Sequence, residues 1–146
     1  MAKILLVNGP NLNTLGEREP ELYGTTTLKD IEESVRKLVE PAGHSLVPFQ
    51  SNVEGELVSW LHTNRPADFV LINAAAYTHT SIALRDALKV VGAPFVEIHI
   101  SNVYKRESFR HESMLADMAE GIIAGLGAMG YELAALYALD YLGKPK

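Results

Sequence analysis

The chain of 146 residues contains no cysteine, which excludes disulfide bridges, iron–sulfur clusters, thiolate zinc sites and a cysteine nucleophile. It also lacks an excess of positive charge: the formal net charge is −5, so nucleic acid is not an expected partner. No apolar run approaches the roughly 18 residues that a membrane span needs, so we expect no membrane partner. These absences and the length predict a single cytoplasmic domain over residues 1–146.

Short, continuous apolar runs recur along the chain and predict β-strands. Runs without alternation are typical of strands that are buried on both faces of a parallel sheet. The five runs are Lys3 to Asn8, Leu46 to Phe49, Phe69 to Ile72, Phe95 to Ile100 and Gly121 to Ala124. Pro48 has no backbone N–H to donate, which predicts that the second strand lies at an edge of the sheet.

Helical spacing of apolar residues fills the intervals between these runs. Thr27 and Ser81 are the predicted N-caps of two helices, and a third is centred on Trp60. The last helix is predicted from about residue 128 to 142, with an inward face formed by Leu133, Leu136 and Tyr137. Alternating strands and helices predict an α/β fold, a flavodoxin-like open five-stranded parallel sheet of order 2-1-3-4-5 with helices on both faces.

Polar side chains collect where the predicted strands end, which is the edge of such a sheet where ligands bind. They are Asn8, Asn11 and Asn13 after the first strand, Asn73, Tyr77 and His79 after the third, and His99, Ser101, Asn102, Arg106 and Arg110 at and after the fourth. Each has a plain structural explanation when taken alone, such as a turn asparagine or a solvated arginine. Together they predict a binding site.

Two pairs of residues suggest acid–base chemistry. Glu97 and His99 are two apart on a strand and therefore share a face, so the carboxylate can orient the imidazole as a general acid. A buried ion pair that only fixes the strand explains that pair equally well. Arg18 and Tyr23 lie on the long segment 9–26, a predicted lid, where the cation can stabilise a phenolate base. A tyrosine that only anchors the loop is the simpler interpretation of Tyr23 taken alone.

Other motifs lead to weaker hypotheses. The glycines from Gly125 to Gly130 match a dinucleotide-binding pattern, but no strand follows, so tight turns and close packing are the better interpretation. Histidine spacing predicts no metal site. Two alternatives stay open: a hydrolase that uses Ser81 or Ser101 with a histidine, and a non-catalytic anion-binding module of flavodoxin-like fold.

Three longer motifs resemble the type II 3-dehydroquinate dehydratase family. They are Asn8-Gly9-Pro10-Asn11-Leu12-Asn13 with Leu15 to Pro20 and Tyr23-Gly24, then Ala76 to Ser81 with Ala83 to Leu88, and Glu97 to Asn102 with Arg106-Glu107 and Phe109-Arg110. The chain departs from the family pattern at Ala74-Ala75, where the family often has Pro-Gly.

The resemblance implies a hydro-lyase of the shikimate pathway that interconverts 3-dehydroquinate and 3-dehydroshikimate without a cofactor or metal. It implies a homo-oligomer, a dodecamer built as a tetramer of trimers. By position, Tyr23 is the base, Arg18 stabilises its anion, His99 is the proton donor oriented by Glu97, and Asn11 holds a water. The implied substrate-binding residues are Asn73, His79, Ile100, Ser101, Arg110 and, from a neighbouring subunit, Asp86.

Overall fold

The computed structural model describes residues 1–17, 21 and 24–145. Five strands form one parallel sheet: β1 (Lys3–Asn8), β2 (Ser45–Gln50), β3 (Phe69–Asn73), β4 (Phe95–His99) and β5 (Gly121–Ala124). Their spatial order is β2-β1-β3-β4-β5, so the predicted flavodoxin-like arrangement is confirmed. The boundaries of each strand differ from the predicted ones by at most one residue.

The edge position of β2 is also confirmed. Pro48 lies opposite Leu6 in the register of β1 and β2, and β2 pairs with no other strand among the described residues. The missing N–H of a proline is tolerated there because an edge strand needs hydrogen bonds on one side only.

In the part of the chain that the structure describes, four α-helices cover the two faces of the sheet: α1 (Leu28–Val39), α2 (Glu54–Thr63), α3 (Ile82–Val91) and α4 (Met129–Gly143). Successive residues of β1 point to opposite faces. Leu6 packs in the apolar cluster of α1 and α4, whereas Leu5 packs in that of α2 and α3. The sheet is therefore buried on both sides, as its continuous apolar strands predict.

Both predicted N-caps are present. The Thr27 side chain accepts a hydrogen bond from the backbone N–H of Asp30, and the Asp30 carboxylate accepts one from the N–H of Thr27. Ser81 accepts a hydrogen bond from the N–H of Leu84 at 2.8 Å and begins α3. Gly92 ends α3 with a φ of 73°, a conformation that glycine adopts without strain.

The prediction for the inward face of α4 is wrong. Leu133, Leu136 and Tyr137 are 37%, 50% and 39% exposed, respectively. The buried residues of the helix are instead Gly130, Tyr131, Ala134, Ala135 and Ala138. The helix carries apolar residues of its own on every side, so their spacing alone does not identify the buried face. Apart from Tyr131, the residues of that face are small, which lets the helix lie close to the sheet.

The glycine-rich segment before α4 has the geometry of a turn. Gly125 and Gly127 have φ values of 87° and 64°, and a Cβ added at Gly130 would lie 3.3 Å from the Ile123 side chain. Tight turning and close packing therefore explain these glycines.

Within the described part of the chain, no helix is long and apolar enough to cross a membrane.

Candidate active site

A cavity of about 130 Å³ opens at the carboxyl ends of the central strands. The residues that line it come from the segments after β1 and β3 and from the end of β4 and the segment that follows it. They are Pro10, Asn11, Leu12, Asn73, Ala75, Ala76, His79, His99, Ile100, Ser101, Val103, Arg106 and Arg110. Seven of the residues predicted for the site are in this set, so the structure brings them together as the polar pattern predicted.

Tight backbone contacts shape the floor of the cavity. The N–H of Gly9 donates to the carbonyl of Asn73 at 2.8 Å, and a Cβ at position 9 would lie only 2.3 Å from the carbonyl oxygen of Ala74. Asn11 and Ala75 have φ values of 69° and 53°. A left-handed conformation at alanine is strained, and it occurs here at the position where the chain departs from the family pattern.

Glu97 and His99 form the buried pair that their spacing predicted. Nε2 of His99 lies 2.6 Å from Oε2 of Glu97, and the two residues are only 5% and 2% exposed, respectively. An ionised carboxylate can only accept hydrogen bonds, so Nε2 is the donor and Nδ1 is left for a second partner. His99 lines the main cavity, and Glu97 lines a smaller one of about 60 Å³ behind it.

A chain of buried hydrogen bonds fixes the carboxamide of Asn73. Its Nδ2 donates to the hydroxyl of Tyr131 at 2.8 Å, and that hydroxyl donates to Oδ1 of Asn8 at 2.7 Å. Oδ1 of Asn73 accepts from the N–H of Ala75 at 3.0 Å. Burial raises the pKa of the Tyr131 hydroxyl, so that it stays a protonated donor. These hydrogen bonds within the core therefore fix the orientation of the Asn73 amide at the cavity wall.

Cationic and imidazole groups dominate the charge of the cavity. No acidic residue is among the described residues that line it, whereas Arg106, Arg110 and two histidines are. Nε of Arg110 donates to the Glu107 carboxylate at 2.9 Å. Hydrogen bonds from its own backbone N–H and from Arg110 lower the pKa of Glu107. Such a cavity favours an anionic ligand with hydroxyl groups.

His79 faces His99 across the cavity, with ring centroids 6.2 Å apart and planes inclined by 17°. Nδ1 of His79 lies 2.7 Å from the carbonyl of Glu112, which fixes the ring and makes Nδ1 the protonated nitrogen. Ser101 accepts a hydrogen bond from Arg106 at 3.2 Å. The side chains of His79 and Ser101, both predicted to bind a ligand, therefore have defined orientations.

Four predicted site residues are not among the described residues that line this cavity, and one of them, Glu97, lines the smaller cavity instead. Asp86 is exposed on α3 and does not line it. Arg18 and Tyr23 lie outside the described residues, as do positions 19, 20 and 22 of the lid predicted over residues 9–26. The hypothesis that Tyr23 is a base beside Arg18 therefore stays a prediction.

Two residues of the site's surroundings, Ser113 and Tyr131, were not predicted at all, and Arg106 was predicted only as a member of the polar cluster after the fourth strand. Arg106 lines the cavity, Tyr131 anchors Asn73, and Ser113 donates a hydrogen bond to Oε1 of Glu97 at 2.7 Å. Only Arg106 has a sequence signal, because it lies in the polar segment after β4. Ser113 and Tyr131 reach the site through the folded structure alone.

The serine residues of the hydrolase alternative have other partners. Ser81 is 2% exposed and caps α3, so its oxygen already accepts a backbone N–H. Ser101 contacts Arg106 rather than a histidine. The described residues also contain no group of three histidine, aspartate or glutamate side chains that could hold a metal ion.

Comparison with known proteins identifies the family. A family model described as Dehydroquinase class II matches residues 2–139. A 3-dehydroquinate dehydratase from Haemophilus influenzae is 57% identical over 97% of this chain and 96% of its own length. 3-Dehydroquinate dehydratase 1 from Pseudomonas aeruginosa is 53% identical over 99% of this chain and its full length.

Solved structures agree with this assignment. The type II dehydroquinase from Propionibacterium acnes superposes with a TM-score of 0.89 at 41% identity, covering 96% of this chain and 97% of that one. The type II dehydroquinase from Butyrivibrio crossotus also gives a TM-score of 0.89, at 38% identity over 95% of this chain and 97% of that one. The matches in sequence and in fold both span nearly the whole chain. The chain therefore belongs to the class II dehydroquinase family of hydro-lyases.

Proposed function

We propose that this hydro-lyase dehydrates 3-dehydroquinate reversibly to 3-dehydroshikimate through an enolate, in the cytoplasm and as a step of the shikimate pathway. The observation that carries the proposal is the buried Glu97–His99 pair at the wall of a cavity lined by amide, imidazole and guanidinium groups. A proton donor with a fixed orientation, next to a cavity that favours an anion, suits loss of a hydroxyl group from a hydroxy acid.

His99 is the proposed general acid. Hydroxide is a poor leaving group, so the departing hydroxyl must gain a proton as the carbon–oxygen bond breaks. Glu97 holds Nε2 at 2.6 Å and stabilises the protonated imidazole, which leaves Nδ1 to serve the substrate. The proton moves to the oxygen, water leaves, and the electron pair of the enolate forms the new carbon–carbon double bond.

Tyr23 is the proposed base for the C2 proton, with Arg18 beside it. A phenol has an ordinary pKa of about 10, so a nearby permanent cation is needed to favour the phenolate at neutral pH. Removal of the proton next to the ketone gives an enolate, whose oxygen gains charge. We propose that a water held by Asn11, which lines the cavity, stabilises this oxygen.

The substrate is proposed to bind through groups of the cavity wall. Asn73, His79 and Ser101 offer hydrogen bonds to hydroxyl or carboxylate oxygens, and Arg110 presents a fork of several donors. Ile100 also lines the cavity wall. Because Asn73 and His79 are already fixed by Tyr131 and the Glu112 carbonyl, little entropy is lost when they bind the ligand.

Assembly into a dodecamer, a tetramer of trimers, is proposed as well. A single chain exposes an apolar surface around β5 and α4, formed by Ile122, Leu126, Met129, Leu133, Leu136 and Tyr137. Several large exposed apolar residues on two neighbouring elements are typical of contacts between proteins, here with further copies of the chain. Asp86, which is exposed, would then face a neighbour's site. Native mass spectrometry should give the mass of twelve chains, and a monomer would contradict this assembly.

The direct test is incubation of the purified protein with 3-dehydroquinate and a metal chelator. We expect a rise in the ultraviolet absorbance of the conjugated enone product. Borohydride added with the substrate should leave the rate unchanged, because no lysine imine is formed. No absorbance change would contradict the proposed function, and loss of activity with borohydride would contradict the proposed mechanism.

A further inference from the structure

Ser113 holds the carboxylate of Glu97 from the side opposite His99. Its hydroxyl oxygen lies 2.7 Å from Oε1 of Glu97, while Oε2 of the same carboxylate faces His99. The two carboxylate oxygens therefore have one fixed partner each.

The hydroxyl of Ser113 has a defined direction. Its oxygen accepts hydrogen bonds from the backbone N–H groups of Leu115 and Ala116, both at 3.0 Å. A hydroxyl has two acceptor lone pairs and one hydrogen, so with both lone pairs occupied the hydrogen is directed at Glu97. Ser113 is thus a donor to a charged acceptor, which is the stronger kind of hydrogen bond.

The segment that carries Ser113 is held in place by contacts of the two residues that follow the serine. The N–H of Met114 donates to the carbonyl of Thr78 at 2.8 Å, and Arg85 donates to the carbonyl of Met114 at 2.8 Å. Leu115, the second residue after the serine, is fully buried in the core. These contacts fix Ser113 relative to β4, although it is 16 residues from Glu97 in sequence.

We propose that Ser113 is a positioning residue that keeps the Glu97 carboxylate aligned, so that His99 presents its proton to the substrate in one orientation. The proposal rests on the proposed role of His99 as general acid. Ser113 does not line the main cavity, so it acts on the reaction through Glu97 and not by contact with the substrate.

Other ionisable groups lie near Glu97 and His99, and replacement of Ser113 leaves all of them in the protein. The smaller cavity behind His99 is also lined by His79, Tyr104, Arg110 and His111. Loss of the hydroxyl removes one donor from a carboxylate that is 2% exposed and that water therefore cannot easily solvate.

The test compares Ser113→Ala with Ser113→Thr and Ser81→Ala. Ser113→Ala should lower kcat about 10-fold or more, with KM within about twofold of the wild type, because a hydrogen bond to a charged group is lost. Ser113→Thr keeps the hydroxyl and should restore most of kcat. Ser81→Ala removes a buried serine that caps α3 and touches no carboxylate, so it should leave kcat unchanged.

A double-mutant cycle separates positioning from folding. In a Glu97→Gln background, Ser113→Ala should lower kcat by less than about twofold, because the group through which it acts is already changed. Equal losses of kcat in both backgrounds would overturn the proposal, as would a folded Ser113→Ala variant with wild-type kcat. Should Ser113→Ala not fold, Ser113→Cys, with its weak donor, serves instead, and an unchanged kcat again overturns the proposal.

A spectroscopic measurement keeps this test separate from that of the proposed function. The His99 Nε2 proton, shared across 2.6 Å with Glu97, should give a downfield proton NMR resonance that moves in Ser113→Ala and not in Ser81→Ala. An inactive wild type would defeat the proposed function, whereas an unmoved resonance would defeat the positioning role of Ser113.

Discussion

Nε2 of His99 and Oε2 of Glu97 lie 2.6 Å apart at the carboxyl end of β4, and both side chains are almost fully buried. Burial of a charged pair costs free energy of solvation, so such a pair is weak support for stability by itself. Its position beside a cavity lined by polar groups supports the proposed role of the pair in acid–base chemistry. We therefore expect variants at both positions to change the rate of the reaction.

Replacement of either residue should lower kcat. General acid catalysis typically contributes about 10²- to 10⁴-fold, so His99→Asn should lose a factor in this range and Glu97→Gln a smaller one. Steady-state kinetics with 3-dehydroquinate measures both. Glu33→Gln, at an exposed position of α1, is the control and should match the wild type. A folded Glu97→Gln variant with the kcat of the wild type would show that the carboxylate is not needed.

Tyr131→Phe should destabilise the protein and weaken substrate binding. The change leaves Oδ1 of Asn8 and Nδ2 of Asn73 without a partner in the core, which costs about 1–3 kcal/mol of unfolding free energy. Urea denaturation measures the loss, and KM should rise because the Asn73 amide is no longer held. An unchanged midpoint of unfolding would mean that water replaces the hydroxyl at no cost.

Ala75→Gly should stabilise the protein. Ala75 has a φ of 53°, where alanine is strained and glycine is not, and relief of this strain exceeds the added flexibility of the unfolded chain. We expect a gain of up to about 1 kcal/mol in urea unfolding. Ala76→Gly, at the next position and without a positive φ, is the matched control and should destabilise. A loss of stability in Ala75→Gly would contradict the inference that the backbone is strained at Ala75.

The pair of Arg85 and Asp117 should contribute stability that depends on pH. The hydrogen bond from Arg85 lowers the pKa of Asp117 in the folded state. The contribution is therefore present above the ordinary aspartate pKa of about 3.9 and is lost as the pH falls through the lowered value. Asp117→Asn should differ from the wild type most at neutral pH in urea unfolding, and the difference should shrink on acidification.

Asp140→Asn is the control for this pH series. Among the described residues, Asp140 forms an ion pair with the exposed Lys144 alone, at 3.3 Å, so its replacement should change stability little at any pH. A difference between Asp117→Asn and the wild type that stays constant as the pH falls would contradict the assignment to the carboxylate charge.

The sheet could be predicted from the sequence because its strands are buried on both faces. All five residues of β3 are buried, so the run from Phe69 is apolar without interruption. The buried face of α4 could not be predicted in the same way. Leu136 is half exposed while Ala134 is fully buried, so side-chain size and the closeness of the helix to the sheet decided the outcome rather than hydrophobicity.

The candidate site was predictable where its residues follow directly on the strands. Asn73, His99 and Ser101 are at or just beyond strand ends, and a parallel sheet brings those ends together. Ser113 and Tyr131 were not predictable, because they meet their partners only through tertiary contacts. The hydroxyl of Tyr131 binds Asn8 across 123 residues of sequence, a distance at which no local pattern operates.

The rate of 3-dehydroquinate dehydration by a folded Tyr23→Phe variant, measured beside the wild type, tests the central claim most directly. Phenylalanine keeps the ring but cannot become a phenolate. The proposed mechanism predicts a loss of about 10²-fold or more in turnover, with an unchanged circular dichroism spectrum and unfolding midpoint. A folded Tyr23→Phe enzyme that works at nearly the wild-type rate would contradict the assignment of the base and the enolate route that depends on it.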